Sequence, residues 1–384
     1  MFYLGNHISQ EIKEFRKKRK LTKIELAKLV GLSVKTIYQL ETGKRKGKIE
    51  TLVKIRYVLK KNFNVDLFEK ARIKIVWKLE DLNQQTLSII EGGLLGDGSI
   101  AKYGIFQQTA KDKKYLEWLG RLLDKVGIKY KIVSTKSKSS YSESKKPFYS
   151  LYTHSCPAFF ELRKRWYIDK NKGKGIKRVP SDIELTPTML FHWYLGDGNL
   201  KSDNRKFPKG GRPSLRLFTN DFLREDIALL LERLKKDLGL NFYTFPKLSE
   251  NRERGYILYL YPNYLFNFFK MIMLKPPTEI ENSLTKEFLR GKMKGKTSTF
   301  REKWPNKNGW IKILAKTRGI GRVLREKRKE MDLTQREIAE KVGVKKHHIS
   351  EIECGRKLMS LKCFTKILDI FKLNVEAMPE VIKF

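Results

Sequence analysis

The chain holds 384 residues, of which 82 are Lys or Arg and 42 are Asp or Glu, so its formal net charge is +40. Such an excess attracts polyanions and supplies the sequence-independent part of nucleic-acid binding, while a 40% hydrophobic content argues against disorder. Three scattered cysteines (Cys156, Cys354, Cys363) exclude a disulfide framework, no Cys-x-x-Cys offers a zinc site, and no apolar run reaches the ~18 residues of a membrane span. Met1 is not followed by a secretory pattern, so the expected location is the cytoplasm, on the nucleoid, with no membrane partner.

The first organised stretch, residues 21–45, reads LTKIELAKLVGLSVKTIYQLETGKR. Thr22 is a good N-cap, small Ala27 admits a crossing helix, and Gly31 permits the left-handed residue that ends a helix. Ile37 and Leu40 return a second short helix to the core, leaving Lys35, Thr36 and Gln39 outward. The pattern comes back at the other end of the chain. Thr22, Ala27, Gly31, Ile37, Glu41 and Gly43 fall on Thr334, Ala339, Gly343, Ile349, Glu353 and Gly355, with a constant offset of 312, and Arg16 falls on Arg328. Both copies follow the plan in which a second helix enters the DNA major groove. They resemble the Cro/repressor helix-turn-helix family. The DNA-contacting candidates are Lys23, Ser33, Lys35, Thr36, Gln39 and Lys44 in the first copy. In the second they are Gln335, Lys345, Lys346, His347 and Ser350. The resemblance implies that Gln335 supports a phosphate contact, where the first copy carries Lys23. The adjacent His347 and His348 should point apart and form no ligand pair.

Between the copies lies a second repeat. Residues 90–98 read IEGGLLGDG and residues 190–198 read LFHWYLGDG; in each, an apolar helix runs into Gly-Asp-Gly and then into an alternating segment. FQQTAKDKKYLEWLGRLLDKVGI (106–128) has its counterpart in LFTNDFLREDIALLLERLKKDLGL (217–240). The pairing of Gly127 with Gly239 at offset 112, against 100 for the Asp97–Asp197 pair, puts about 12 extra residues in KSDNRKFPKGGRP, 201–213. Arg205, Lys206, Lys209 and Arg212 in that insertion are further DNA-contact candidates. Strand-like KYKIV and FYSLYTH in the first half answer NFYTF and YILYLY in the second. Each half therefore reads α-β-β-α-β-β-α, an α+β unit. The expected domains are 1–72 (helix-turn-helix), 84–182 and 183–280 (the two halves), 281–316 (a basic linker) and 317–384 (helix-turn-helix).

The two halves resemble the LAGLIDADG homing endonucleases over about residues 84–278. That resemblance implies a DNA-binding saddle with pseudo-two-fold symmetry, acting as a monomer on double-stranded DNA. The motif helices should pack together, bringing Asp97 and Asp197 to one point. A carboxylate at a helix C-terminus opposes the macrodipole, and two together repel, so a cation is needed. Magnesium or manganese would answer this, bound by Asp97, Asp197 and the carbonyls of Gly96 and Gly196. The resemblance further implies that Gln107 orients the attacking water, with its partner in the second half near Phe218-Thr219. It implies too that Lys177 (in IKRVP) and Lys275 (in LKPP), each lying before a proline after its half, stabilise phosphate charge. LRGKMKGK (289–296) carries lysines where acids belong, and 286–316, with ten Lys and Arg against two Glu, reads as a connector that hugs phosphates. The terminal domains are expected to lengthen the footprint without taking part in cutting. Two other functions remain open: a transcriptional regulator on a core that has lost cleavage, and an intron maturase that binds RNA. An intein is disfavoured, because the sequence shows neither a splicing nucleophile at Met1 nor a terminal Asn.

Overall fold

The computed structural model describes residues 6–45, 49–59, 79–101, 104–135, 148–154, 156–169, 175–201, 213–246, 256–278 and 303–381. The chain divides into two compact units, Met1–Pro180 and Ser181–Phe384, each built from one half of the central repeat and one terminal helical domain.

In the first unit, α1 (Asn6–Lys18), α2 (Lys23–Val30), α3 (Val34–Glu41) and α4 (Ile49–Leu59) enclose a core of Ile12, Leu26, Ala27, Val30, Ile37, Leu40, Leu52, Ile55 and Leu59. Thr22 and Glu25 close a capping box at the start of α2, and Gly31 ends it at φ 70°. The first half follows: α5 (Gln84–Leu95), β1 (Gly98–Ala101), β2 (Ile105–Ala110), α6 (Lys113–Lys125), β3 (Tyr130–Thr135), β4 (Phe148–Thr153) and α7 (Pro157–Trp166). Its sheet is antiparallel in the order β1-β2-β4-β3. Alternation decides which face is buried: Ile100, Phe106, Gln108 and Leu151 are buried, whereas Ser99, Gln107 and Tyr152 share the opposite, partly exposed face. A short hairpin the sequence pattern did not announce, β5 (Tyr167–Asp169) with β6 (Gly175–Lys177), closes the half.

The second unit repeats the plan with α8 (Pro187–Asp197), β7 (Gly198–Lys201), β8 (Ser214–Thr219), α9 (Arg224–Leu238), β9 (Phe242–Pro246), β10 (Tyr256–Leu260) and α10 (Leu265–Ile272), in sheet order β7-β8-β10-β9. Thr186 caps α8 with Pro187 at its first turn, as the sequence suggests. The stretch expected to be a linker differs from that expectation in its described part. Residues Lys307–Leu314 form α11, capped by Asn306, and both Trp304 and Trp310 are buried. A tryptophan at helical spacing from Ile313 and Leu314 is a core signal that the surrounding lysines mask. The C-terminal domain comprises α12 (Ile320–Glu330), α13 (Gln335–Val342), α14 (Lys346–Glu353), α15 (Leu361–Phe371) and α16 (Met378–Val381).

The repeat at offset 312 extends to a buried ion pair. Arg16 donates to both carboxylate oxygens of Glu41, at 2.5 and 3.1 Å, and to the Leu21 carbonyl at 2.8 Å. Arg328 does the same with Glu353, at 2.7 and 3.0 Å, and with the Leu333 carbonyl at 2.7 Å. Removing one member leaves a desolvated charge, whereas replacing both by apolar residues does not. Glu353→Gln should therefore lower the stability of the C-terminal domain by about 3 kcal/mol, and the pair Arg328→Met/Glu353→Leu by clearly less. Urea unfolding followed by circular dichroism measures both.

Candidate functional site

In the first half, α5 ends at Gly96 and places Asp97 just beyond it, exposed, rather than within its last turn. Chain packing here is close: a Cβ on Gly98 would lie 2.5 Å from the Gly93 carbonyl oxygen, so only glycine fits. The hairpin strand β6 brings Lys177 to the same helix end. Its Nζ donates to the carbonyls of Leu94 at 2.9 Å and Gly96 at 3.2 Å. A cation on the C-terminal carbonyls satisfies groups that lack helical partners and offsets the negative end of the dipole. The charge of Asp97 also reaches the buried Tyr115 hydroxyl, whose pKa is raised, first by burial and second by that carboxylate.

The second half reproduces this arrangement from different chain. Asp197 is the last residue of α8 and partly exposed. Lys303 Nζ donates to the carbonyls of Tyr194 at 3.0 Å, Gly196 at 3.2 Å and Gly198 at 2.5 Å. The Tyr194 hydroxyl donates in turn to the Lys303 carbonyl. Lys275, the residue expected in this role, is exposed and pairs with Glu380 at 2.6 Å. The expectation is corrected: the lysine at this helix end is the one in Lys303-Trp304-Pro305. Lys303 too lies shortly before a proline, and LKPP, directly after the half, satisfies the same local pattern.

Sheet register locates the counterpart of Gln107. Gln107 faces Ser99 across β1–β2 and Tyr152 across β2–β4. The equivalent residue facing Asn199 and Tyr259 is Arg216, two residues before the expected Phe218-Thr219. Its guanidinium lies over the Tyr259 ring at 5.2 Å, and Tyr259 stacks on Tyr243 at 5.5 Å. Thr219 is buried and donates its hydroxyl to the Tyr256 carbonyl.

The helix-turn-helix faces differ between the two ends. In the first, Ser33 caps α3, and Lys35 is exposed beside partly exposed Thr36 and Gln39. Lys23 sits over the exposed Tyr38 ring at 5.0 Å and Lys44 at 5.9 Å. In the second, Lys345, Lys346 and His347 are exposed and Ser350 half-buried, while the Gln335 side-chain amide donates to Glu353 at 2.9 Å. His347 and His348 do not point apart as expected; their rings stack at 5.3 Å. Arg205, Lys206, Lys209 and Arg212 lie outside the described residues.

Residues 87–263 match the LAGLIDADG DNA endonuclease family, and residues 12–63 and 324–376 each match the helix-turn-helix family. The centre of the chain is a LAGLIDADG domain. An uncharacterised protein of Methanocaldococcus jannaschii is 30% identical over 183 residues, covering 47% of this chain and 66% of that protein. The cytochrome b mRNA maturase bI2 of Debaryomyces hansenii is 29% identical over 182 residues, covering 43% of this chain and 64% of the maturase. The chain thus spans about two thirds of the length of these curated relatives. Among solved structures, the homing endonuclease I-WcaI bound to its DNA recognition sequence is similar at a TM-score of 0.44 and 21% identity, over 59% of this chain and 96% of that one.

The LAGLIDADG motifs supply hard oxygen donors, which suit a divalent cation such as Mg²⁺ or Mn²⁺. Among the described residues no group of three or more His, Cys, Asp or Glu comes together. At the end of its motif helix each half instead offers a carboxylate, Asp97 or Asp197. The Gly96 and Gly196 carbonyls, expected as ligands, each accept a hydrogen bond from a lysine ammonium. The ammonium charge beside each carbonyl leaves the carboxylates as the stronger donors toward a cation.

The second LAGLIDADG helix also buries His192, whose pKa burial pushes down to about 3 from the ordinary 6.5. Between those values the unfolded chain binds a proton that the native chain refuses, so stability falls as pH drops through that window. Replacing His192 with Met should flatten the fall of the second unit's unfolding temperature between pH 6.5 and 3. A calorimetric pH series checks this.

Proposed function

We propose that the protein is a sequence-specific double-strand DNA endonuclease dependent on Mg²⁺ or Mn²⁺, with helix-turn-helix domains that extend its contact with DNA. The observation that carries this reading is the repeated pairing of an acid with a lysine at the end of each LAGLIDADG helix. A protein that only bound DNA would gain nothing from a carboxylate held against phosphate, and two such carboxylates would weaken its grip. Asp97 and Asp197 are the residues that would hold the metal. When bound, a divalent ion lowers the pKa of its water and steadies the leaving oxygen.

The chain's own residues do the rest. Lys177 and Lys303 fix the two helix ends, and hence the two carboxylates, while adding positive charge beside the scissile phosphates. Gln107, on the partly exposed face of its sheet, orients the attacking water in the first half. Arg216 at the matching place cannot accept a hydrogen bond and so serves to anchor a phosphate. With both halves on one chain, the enzyme works as a monomer on an asymmetric site, on nucleoid DNA in the cytoplasm. A second reading, binding of intron RNA, is favoured by the similarity to a cytochrome b mRNA maturase.

Converting Asp97 or Asp197 to Asn removes a metal donor and a repulsive charge together. Either variant should bind target DNA in Ca²⁺ at least as tightly as the unaltered protein while losing cleavage in Mg²⁺. Gel shifts and plasmid linearisation against a genomic fragment library measure the two properties. Retained cleavage by the double Asn variant contradicts the nuclease mechanism, and binding of structured intron RNA in preference to duplex DNA would support the maturase.

A further inference from the structure

The two helix-end lysines reach their helices by unlike routes. Lys177 is local, on the β5–β6 hairpin that directly follows its half. Lys303 arrives on the segment that opens the C-terminal helical domain, and that segment is fixed from both sides. On the side of the nuclease half, Trp304 Nε1 donates to the Met273 carbonyl at 2.9 Å, and its ring meets Phe191 at 6.5 Å and Tyr194 at 6.1 Å. Met273 itself is held at φ 121°, a conformation that a side chain adopts only where its surroundings enforce it. Asn306 then caps α11, and Trp310 of α11 meets Phe269 of α10 at 5.7 Å. Phe269 in turn touches Tyr194 of the motif helix at 6.2 Å.

The C-terminal end of α11 belongs to the helix-turn-helix domain. Helix α11 packs on α15, the Met359 amide donates to the Ala315 carbonyl at 3.3 Å, and Lys316 Nζ donates to the Met359 carbonyl at 3.2 Å. Ile313, Leu314 and Ala315 are buried. A Cβ on Gly321 of α12 would overlap the Ile352 carbonyl of α14, so the recognition helix is seated tightly on the same body. Helix α11 is thus a shared core element, packed through Trp310 on α10, which itself touches the motif helix, and at its C-terminal end on the DNA-reading domain.

We propose that the C-terminal helix-turn-helix domain is a positioning device for the second nuclease half: its docking through α11 sets Lys303 on the Gly196-Asp197-Gly198 turn. Cutting of one DNA strand therefore depends on that domain, and cutting of the other does not. The expectation that the terminal domains only lengthen the footprint is replaced, for this end of the chain, by a part in catalysis. The inference rests on the nuclease reading for its consequence, but its physical core, the coupling of α11 to the motif turn, can be read independently.

Two measurements on the full chain test it. The first is hydrogen exchange of the peptide spanning residues 194–200. Trp310→Ala, which empties the contact between α10 and α11, should speed exchange there by about tenfold while leaving residues 94–100 unchanged, and Trp310→Phe should restore protection. Unchanged exchange at 194–200 in a folded Trp310→Ala protein overturns the proposal, whatever the enzyme does. The second is cleavage of a duplex labelled separately on each strand. Trp310→Ala should slow one strand by about tenfold and spare the other, with Trp310→Phe near normal. Equal slowing of both strands overturns strand dependence. If the unaltered protein cuts neither strand while the exchange result holds, the nuclease reading fails and the coupling stands. A Trp310→Ala protein that does not fold shifts the exchange test to Lys303→Met, which should deprotect 194–200; no change there contradicts the proposal.

Discussion

An α-helix ends in carbonyl oxygens without helical partners, and its aligned peptide dipoles add roughly half a negative charge at that end. Both LAGLIDADG helices of this chain place an aspartate there, where the field resists it. The arrangement persists because a lysine ammonium grips the same carbonyls: Lys177 on Leu94 and Gly96, Lys303 on Tyr194, Gly196 and Gly198. The rest of the site follows from this interaction. The lysine fixes the turn, and the turn holds the aspartate beside it. Glycines at 98 and 198 let the following strand leave close against the helix, since a Cβ at either place would strike backbone.

The two halves share this geometry and differ around it. Gln107 and Arg216 occupy one register position, facing Ser99 and Asn199. A glutamine both donates and accepts, whereas an arginine only donates, so the two halves present different hydrogen-bonding groups at this position. The second motif helix replaces small residues with His192 and Trp193, both buried, and surrounds Tyr194 with Phe268, Phe269 and Trp304. That aromatic layer is what receives the segment carrying Lys303. The helical domains differ in the same spirit. Their ion pairs, Arg16–Glu41 and Arg328–Glu353, are alike, yet Gln335 extends only the second network, and Lys23 lies on an aromatic ring instead.

The architecture was legible because it is written twice, in two senses. A constant offset of 312 fixes the terminal domains, and matched Gly-Asp-Gly contexts fix the α-β-β-α-β-β-α halves; the observed strands begin and end within a few residues of the alternating runs. The acids were legible for the same reason. What pattern alone misplaced were residues whose position depends on register or on distant chain. Arg216 is found only once β7 and β8 are aligned pair by pair, because a slip of two residues keeps the alternation intact. Lys303 lies about 105 residues from the carbonyls it holds, beyond a lysine-rich stretch in which composition gives no contrast. Lys275-Pro-Pro is a nearer match to the same local pattern, and what sets Lys303 apart is the buried Trp304 that follows it.

The lysine at each helix end is the central element of the site, and single-turnover cleavage with each strand labelled tests its part most directly. Lys177→Met and Lys303→Met should each slow cutting by about a hundredfold, as expected for removal of a preorganised charge beside the reacting phosphate. Lys275→Met, which loses an exposed ion pair with Glu380, should stay within about twofold of the unaltered enzyme. Full activity in Lys303→Met, or a loss in Lys275→Met of the size predicted for Lys303, would contradict the account.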